Sequence, residues 1–187
     1  MWYIYLNIIR PFPEKVKRYS DFEQKGGCIM EKIESFKVDH RYIVPGIYLS
    51  RVDGDVATYD LRFKKPNAGD YLTDLELHSL EHMFATYARN GRFKDRVIYF
   101  GPMGCRTGFY LLLRGLPPED VRAIVKETLE KIVFEADEMF GCSEIECGNY
   151  RELSLAAAKT CAASFLSAVD IDAASFIYPR PRKEDPQ

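Results

Sequence analysis

The chain has 187 residues, 47% of them apolar and 29% charged, with a formal net charge of -2. That length suits one domain with a sizeable core. The balanced charge offers no basic stripe for nucleic acid, and no apolar run approaches the roughly 20 residues that span a bilayer. Five cysteines (Cys28, Cys105, Cys142, Cys147 and Cys161) are odd in number and irregularly spaced. This argues against a secreted disulfide framework and for free thiols in a reducing cytoplasm.

Residues 1–29 read as an N-terminal extension outside the core fold. They are punctuated by prolines, closed by Gly26-Gly27 and followed by Met30, a natural start. The apolar run 1–9 lacks the basic lead and the small-residue cleavage site of a signal peptide. The domain itself is expected over 30–178. A disordered tail is expected over 179–187, which holds three prolines and five charges.

Within the domain, residues 36–51 have a β-rich composition broken by Pro45-Gly46, and 56–63 alternates as a strand does. The turn signal Val52-Asp53-Gly54-Asp55 joins the two into an antiparallel hairpin. Ala57, Tyr59, Leu61 and Phe63 fall on one side of the second strand, and Arg62 points away from that apolar side. Thr73 and Glu76 form a capping-box pattern that starts a helix to about residue 89, where Asn90-Gly91 stops it. Short strands over 97–100 and 109–113 flank a compact Gly-rich turn that carries Cys105. A second helix opens at Pro117-Pro118, and a third spans roughly 152–169. Strands and helices do not alternate strictly. The expected architecture is therefore a single α+β domain, an antiparallel sheet with helices packed on one face.

His78-Ser79-Leu80-Glu81-His82 uses two of the three histidines in the chain. Four residues apart on a helix, the imidazoles project from one face and supply half of a tetrahedral site for a divalent metal. Glu81 lies beside them, and H-x-x-E-H is the inverted-zincin pattern. A thiolate is the expected third ligand. Cys147, in a polar loop beside Gly148, is the leading candidate and Cys142 its competitor. Cys161, among alanines on an apolar helix, reads as buried and inert. A His/His/Cys set leaves the fourth position open, as a catalytic site requires. The turn cysteine Cys105 becomes a base or nucleophile if a cation lowers its pKa.

Five stretches carry a resemblance: Glu34-Ser35-Phe36 with Val38-Asp39-His40, Tyr59-Asp60-Leu61-Arg62-Phe63, Leu77 to His82, Pro102-Met103-Gly104-Cys105-Arg106-Thr107-Gly108-Phe109-Tyr110, and Cys147-Gly148. In order and spacing they resemble the S-ribosylhomocysteine lyase (LuxS) family over about residues 30–170. The resemblance implies an α+β homodimer with its sites at the subunit interface. It further implies one divalent metal per subunit on His78, His82 and Cys147, ferrous iron in the cell and zinc or cobalt in preparations. Cys105 and Glu81 match the family's acid/base pair, and Ser35, His40 and Arg62 match substrate-contacting positions. The implied reaction is thioether cleavage of S-ribosylhomocysteine to homocysteine and an autoinducer precursor used in quorum sensing. The chain departs from the family at Tyr99-Phe100-Gly101, where a carboxylate is often found.

Two other readings compete on the residues alone. An inverted-zincin metallopeptidase would use Glu81 to activate water, although a nearby thiol has no role there. A non-enzymatic metal or thiol-sensing module would close the site with Cys142 as a fourth ligand.

Overall fold

In the computed structural model, which describes residues 32–180, four strands form one antiparallel sheet with helices on one face. The α+β expectation is met. The readings of residues 1–29 and of the tail past residue 180 fall outside the described residues. Strands β1 (Gly46–Asp53), β2 (Val56–Arg62), β3 (Val97–Pro102) and β4 (Gly108–Arg114) are ordered β1-β2-β4-β3. β1 and β2 close as the expected hairpin, with Asp53 opposite Val56.

The β-rich stretch begins later than its composition suggests. Residues Glu34–Lys37 form α1, a single helical turn. The Asp39 carboxylate then accepts the Arg41 backbone N–H at 3.0 Å, a local turn that competes with extended pairing. Pro45 lacks a ladder donor, and the strand starts immediately after it.

Helix α2 (Asp74–Asn90) begins with the expected capping box. Thr73 Oγ1 accepts the Glu76 N–H at 3.2 Å and Glu76 Oε2 accepts the Thr73 N–H at 2.8 Å, an arrangement worth about 1 kcal/mol. Helix α3 (Pro118–Phe134) starts on the prolines. Helix α4 (Leu155–Ala168) starts three residues later than its pattern suggests. Tyr150–Glu152 makes a separate 3-10 turn, and Ser154 caps the helix by accepting the Ala157 N–H.

The alternation in β2 sorts the layers. Tyr59, Leu61 and Phe63 enter the core beneath the helices with Phe84, Phe109, Leu111, Val125, Leu129 and Phe165. Phe63 stacks on Phe165 at 4.3 Å, and Phe100 lies between Phe84 and Phe109 at 4.0 and 4.9 Å. Fully burying rings of this size removes on the order of 2 kcal/mol of unfavourable hydration each. On the other side of the same strand, Thr58, Asp60 and Arg62 are also buried. The cover there comes from the end of the described chain. The Leu49 N–H donates to the Phe176 carbonyl at 2.8 Å, and Tyr178 stacks on Tyr48 at 4.7 Å.

Candidate metal centre and thiol cleft

The core-facing side of α2, made by Leu77, Leu80, Met83 and Phe84, sets the rotation of the helix and so points His78 and His82 outward along one edge. Each ring is then fixed by the carbonyl it meets. His78 Nδ1 lies 3.1 Å from the Glu152 carbonyl, and His82 Nδ1 lies 3.1 Å from the Phe140 carbonyl. A carbonyl oxygen only accepts, so each Nδ1 carries a hydrogen and Nε2 is the ring nitrogen left to face a ligand. Ser79, fully buried, accepts the Ser154 N–H at 2.9 Å and holds the segment that carries Glu152 against the helix.

Cys147 arrives from a loop. Its N–H donates to the Ser143 carbonyl at 3.0 Å, a helical turn that presents the sulfur to α2. Cys147 Sγ lies 3.3 Å from His78 Nε2 and accepts the Asn149 N–H at 3.4 Å. Donor atoms of His78, His82 and Cys147 all lie within 4.8 Å of one another. Among the described residues this is the group whose geometry suits a metal ion, and its two imidazoles and one thiol are a donor set for a borderline-soft divalent ion. Cys142 is outside it, with its sulfur directed at the Tyr150 carbonyl 3.7 Å away. Glu81 Oε2 lies 3.8 Å from His82 Nε2, alongside the His/His/Cys group.

Gly141 is a support that the residue pattern did not disclose. Its φ of +67° belongs to the left-handed region, and a Cβ there would lie 2.7 Å from His82 Nδ1. Only glycine meets both demands.

The thiol of Cys105 sits elsewhere on the domain, at the exposed tip of the β3–β4 connection. Beside the tip, Gly108 lets β4 approach β2 closely, since a Cβ there would lie 2.2 Å from the Leu61 carbonyl oxygen. Cys105 lines an open cleft of about 370 Å³ with His40, Arg62, Asn67, Tyr71 and Thr107. Its sulfur is 3.0 Å from Thr107 Oγ1 and 3.9 Å from Arg62 Nη1. Arg62 is gripped from behind: its Nε and Nη2 donate to the two carboxylate oxygens of Asp60. Burial pushes the Asp60 carboxyl above its usual range, against the pull of Arg62 and Tyr178. Desolvation alone would weaken the Arg62 charge, but the Asp60 carboxylate outweighs it and holds the guanidinium charged.

Of the expected site residues, the structure brings His78, His82 and Cys147 together with Glu81 alongside, and it gathers His40, Arg62 and Cys105 around the cleft. Ser35, on α1, does not line that cleft, and neither does the His/His/Cys group. Asp60, Thr107 and Tyr178 were missed as functional candidates. The alternation that puts Asp60 and Arg62 on one face was a usable signal for the first. Tyr178 offered none, because its partner lies 118 residues away. At the departure from the family pattern, the Tyr99 ring lies over Gly101, where a Cβ would come within 1.9 Å of the phenol oxygen. Cys161 is buried as expected, and desolvation pushes its thiol up to about 12.

A sheet-and-helix scaffold that brings two imidazoles and a thiol to one point, with a second thiol displayed on a hairpin, defines an α+β protein with a group that could hold a metal ion through three ligands. The family model described as S-ribosylhomocysteinase (LuxS) matches residues 33–175, and the chain belongs to that family. It is 44% identical over 156 residues to the S-ribosylhomocysteine lyase of Finegoldia magna, covering 80% of this chain and 99% of that protein. It is 40% identical over 159 residues to the lyase of Clostridium beijerinckii, with the same two shares. The lyase of Desulfotalea psychrophila is 42% identical over 146 residues, covering 75% of this chain and 92% of the relative.

Proposed function

We propose that this protein is a carbon–sulfur lyase that cleaves S-ribosylhomocysteine to homocysteine and 4,5-dihydroxy-2,3-pentanedione. The observation that carries the reading is the convergence of His78, His82 and Cys147 on one point in a chain of this family. A thioether sulfur leaves readily only when a carbonyl stands β to it. In the opened sugar the aldehyde at C1 is too far from the C5–S bond, so the carbonyl must move to C2 and then to C3. Each move removes a proton from one carbon and returns one to its neighbour. Loss of the C4 proton then drives the electron pair into a C4–C5 double bond and expels homocysteine thiolate.

Proton carriers are therefore the residues that matter most. We assign them to Cys105 Sγ and the Glu81 carboxylate. Thr107 Oγ1 and Arg62 Nη1 flank the Cys105 sulfur at 3.0 and 3.9 Å and fix where it stands in the cleft. Arg62 and His40 line the cleft and orient sugar hydroxyls; Ser35, outside that lining, is assigned a substrate contact on the family motif alone. A bound divalent ion, ferrous iron in the cell, supplies Lewis acidity in this chemistry.

The protein is further proposed to act in the cytoplasm as a homodimer, with sites shared across the interface. Support for the dimer is that the cleft around Cys105 and the His/His/Cys group do not share a lining within one chain. The outer sheet face also leaves Tyr99 48% exposed. Among the described residues no helix is long and apolar enough to cross a membrane.

The test is anaerobic incubation of metal-assayed protein with S-ribosylhomocysteine and a thiol reagent, beside a generic peptide. Thiol release with the peptide intact is expected. Peptide cleavage without thiol release by fully metallated protein would favour the metallopeptidase and end this reading.

A further inference from the structure

Phe176 and Tyr178 lie past residue 175, where the family match ends. They are nonetheless built into the sheet. Phe176 bridges Tyr48 in parallel and its carbonyl accepts the Leu49 N–H. Its ring meets Tyr59 edge-on at 5.4 Å. Two residues on, the Tyr178 ring stacks on Tyr48, and its hydroxyl donates to Asp60 Oδ2 at 2.9 Å.

Asp60 is 1% exposed and Arg62 2% exposed, so neither is held by bulk water. Three donors converge on the Asp60 carboxylate: Arg62 Nε, Arg62 Nη2 and the Tyr178 hydroxyl. The remaining Arg62 nitrogen, Nη1, donates to Thr107 Oγ1. A guanidinium only donates, so this bond occupies a lone pair of the Thr107 oxygen and leaves its single hydrogen to be placed. Cys105 Sγ, 3.0 Å away, lies within reach of that hydrogen. Thr107 is itself 2% exposed, which keeps competing water from the oxygen.

We infer that Tyr178 is a positioning residue for Cys105, acting through Asp60, Arg62 and Thr107, so that the C-terminal strap sets how strongly hydrogen-bond donors are held against the thiol. The inference rests on Cys105 being the proton carrier of the proposed lyase, but its geometry stands without the reaction. When the Tyr178 hydroxyl is lost, Asp60 keeps only the donors from Arg62. The carboxylate is then free to turn and draw the guanidinium toward itself. Thr107 and Arg62 then pack less firmly against the sulfur, and its reactivity toward an alkylating agent falls. Arg106 and His40 also line the cleft, and Tyr110 faces the same side of the sheet. None of the three takes part in the chain of bonds from Tyr178.

The experiment is alkylation of the full-length, metal-loaded protein by iodoacetamide at pH 7, with rates resolved for each cysteine by peptide mass spectrometry. Tyr178→Phe keeps the ring that stacks on Tyr48 and deletes only the hydroxyl. Its Cys105 alkylation is expected to slow at least about threefold, well within what one buried hydrogen bond is worth. The exposed thiol of Cys142 should react at an unchanged rate. Thr107→Val should slow Cys105 at least as much, and the double variant should be no slower than Thr107→Val alone, since both act on one chain of bonds. An unchanged Cys105 rate in Tyr178→Phe overturns the inference, as does an equal slowing at Cys142 or a fully additive double variant. Because the readout is thiol reactivity, failure of the lyase reading shows separately, as absence of homocysteine release by the unmodified protein.

Discussion

Cys147 Sγ and His78 Nε2 stand 3.3 Å apart across 69 residues of sequence, and this contact turns a helical histidine pair into a three-donor site. The histidines alone offer half of a tetrahedron. In the proposed lyase the loop sulfur would complete a three-donor face and leave the fourth position of a bound ion for substrate.

Removing that sulfur separates metal binding from folding. Cys147→Ser is expected to lose stoichiometric metal by elemental analysis while far-UV circular dichroism stays unchanged. Cys147 itself is not part of the hydrophobic core. Chelation of the unmodified protein should likewise lower its melting temperature without unfolding it at 25 °C, since a metal that binds only the folded state stabilises by mass action. A Cys147→Ser protein with a full metal complement would assign the third ligand elsewhere.

Gly141 offers a test that leaves every ligand in place. In Gly141→Ala the new Cβ meets His82 Nδ1 at 2.7 Å and the backbone is forced to hold φ near +67°. The ring must tilt and loosen its bond to the Phe140 carbonyl. Disturbing such an outer support typically lowers metal affinity by about 10- to 100-fold, and this loss is expected in competition titrations with a chromophoric chelator. The strained conformation should also cost roughly 1 kcal/mol or more in urea unfolding.

For the two residues proposed as proton carriers, Cys105→Ala and Glu81→Gln are expected to keep metal and fold and to lose turnover by on the order of 10²- to 10⁴-fold. Homocysteine release at the native rate by either variant, measured on metal-assayed protein, would remove that residue from the mechanism.

Cys161 makes a pH prediction. Burial among apolar side chains raises its thiol from an ordinary value of 9.0 to about 12. The folded state therefore holds this proton over a range in which the unfolded chain releases it. The associated stability is fully present below pH 9 and drains away as pH climbs toward 12, by up to about 1.4 kcal/mol per unit. Cys161→Ala removes that slope. The stability gap between the two proteins, widest near neutrality because the variant loses packing, should narrow steadily from pH 9 to 11 in urea titrations. A constant gap across that range would contradict the burial argument.

What was legible from residues alone was what depends on near neighbours. The four-residue spacing of His78 and His82, the Thr73–Glu76 cap, the hairpin at Asp53-Gly54 and the burial of Cys161 all follow from helical and strand periodicity, which acts over a few residues. The family motifs added the roles of Cys105, Glu81 and Arg62 as expectations. Tertiary structure alone decided which sulfur meets the imidazoles, which carbonyls settle their tautomers, and how Arg62, on the polar side of its strand, became buried. Those outcomes depend on Phe140, Gly141, Cys147, Glu152 and Tyr178, each brought in by packing from 58 or more residues away from its partner. Contacts at such separation reflect how whole layers dock, and no local pattern encodes them.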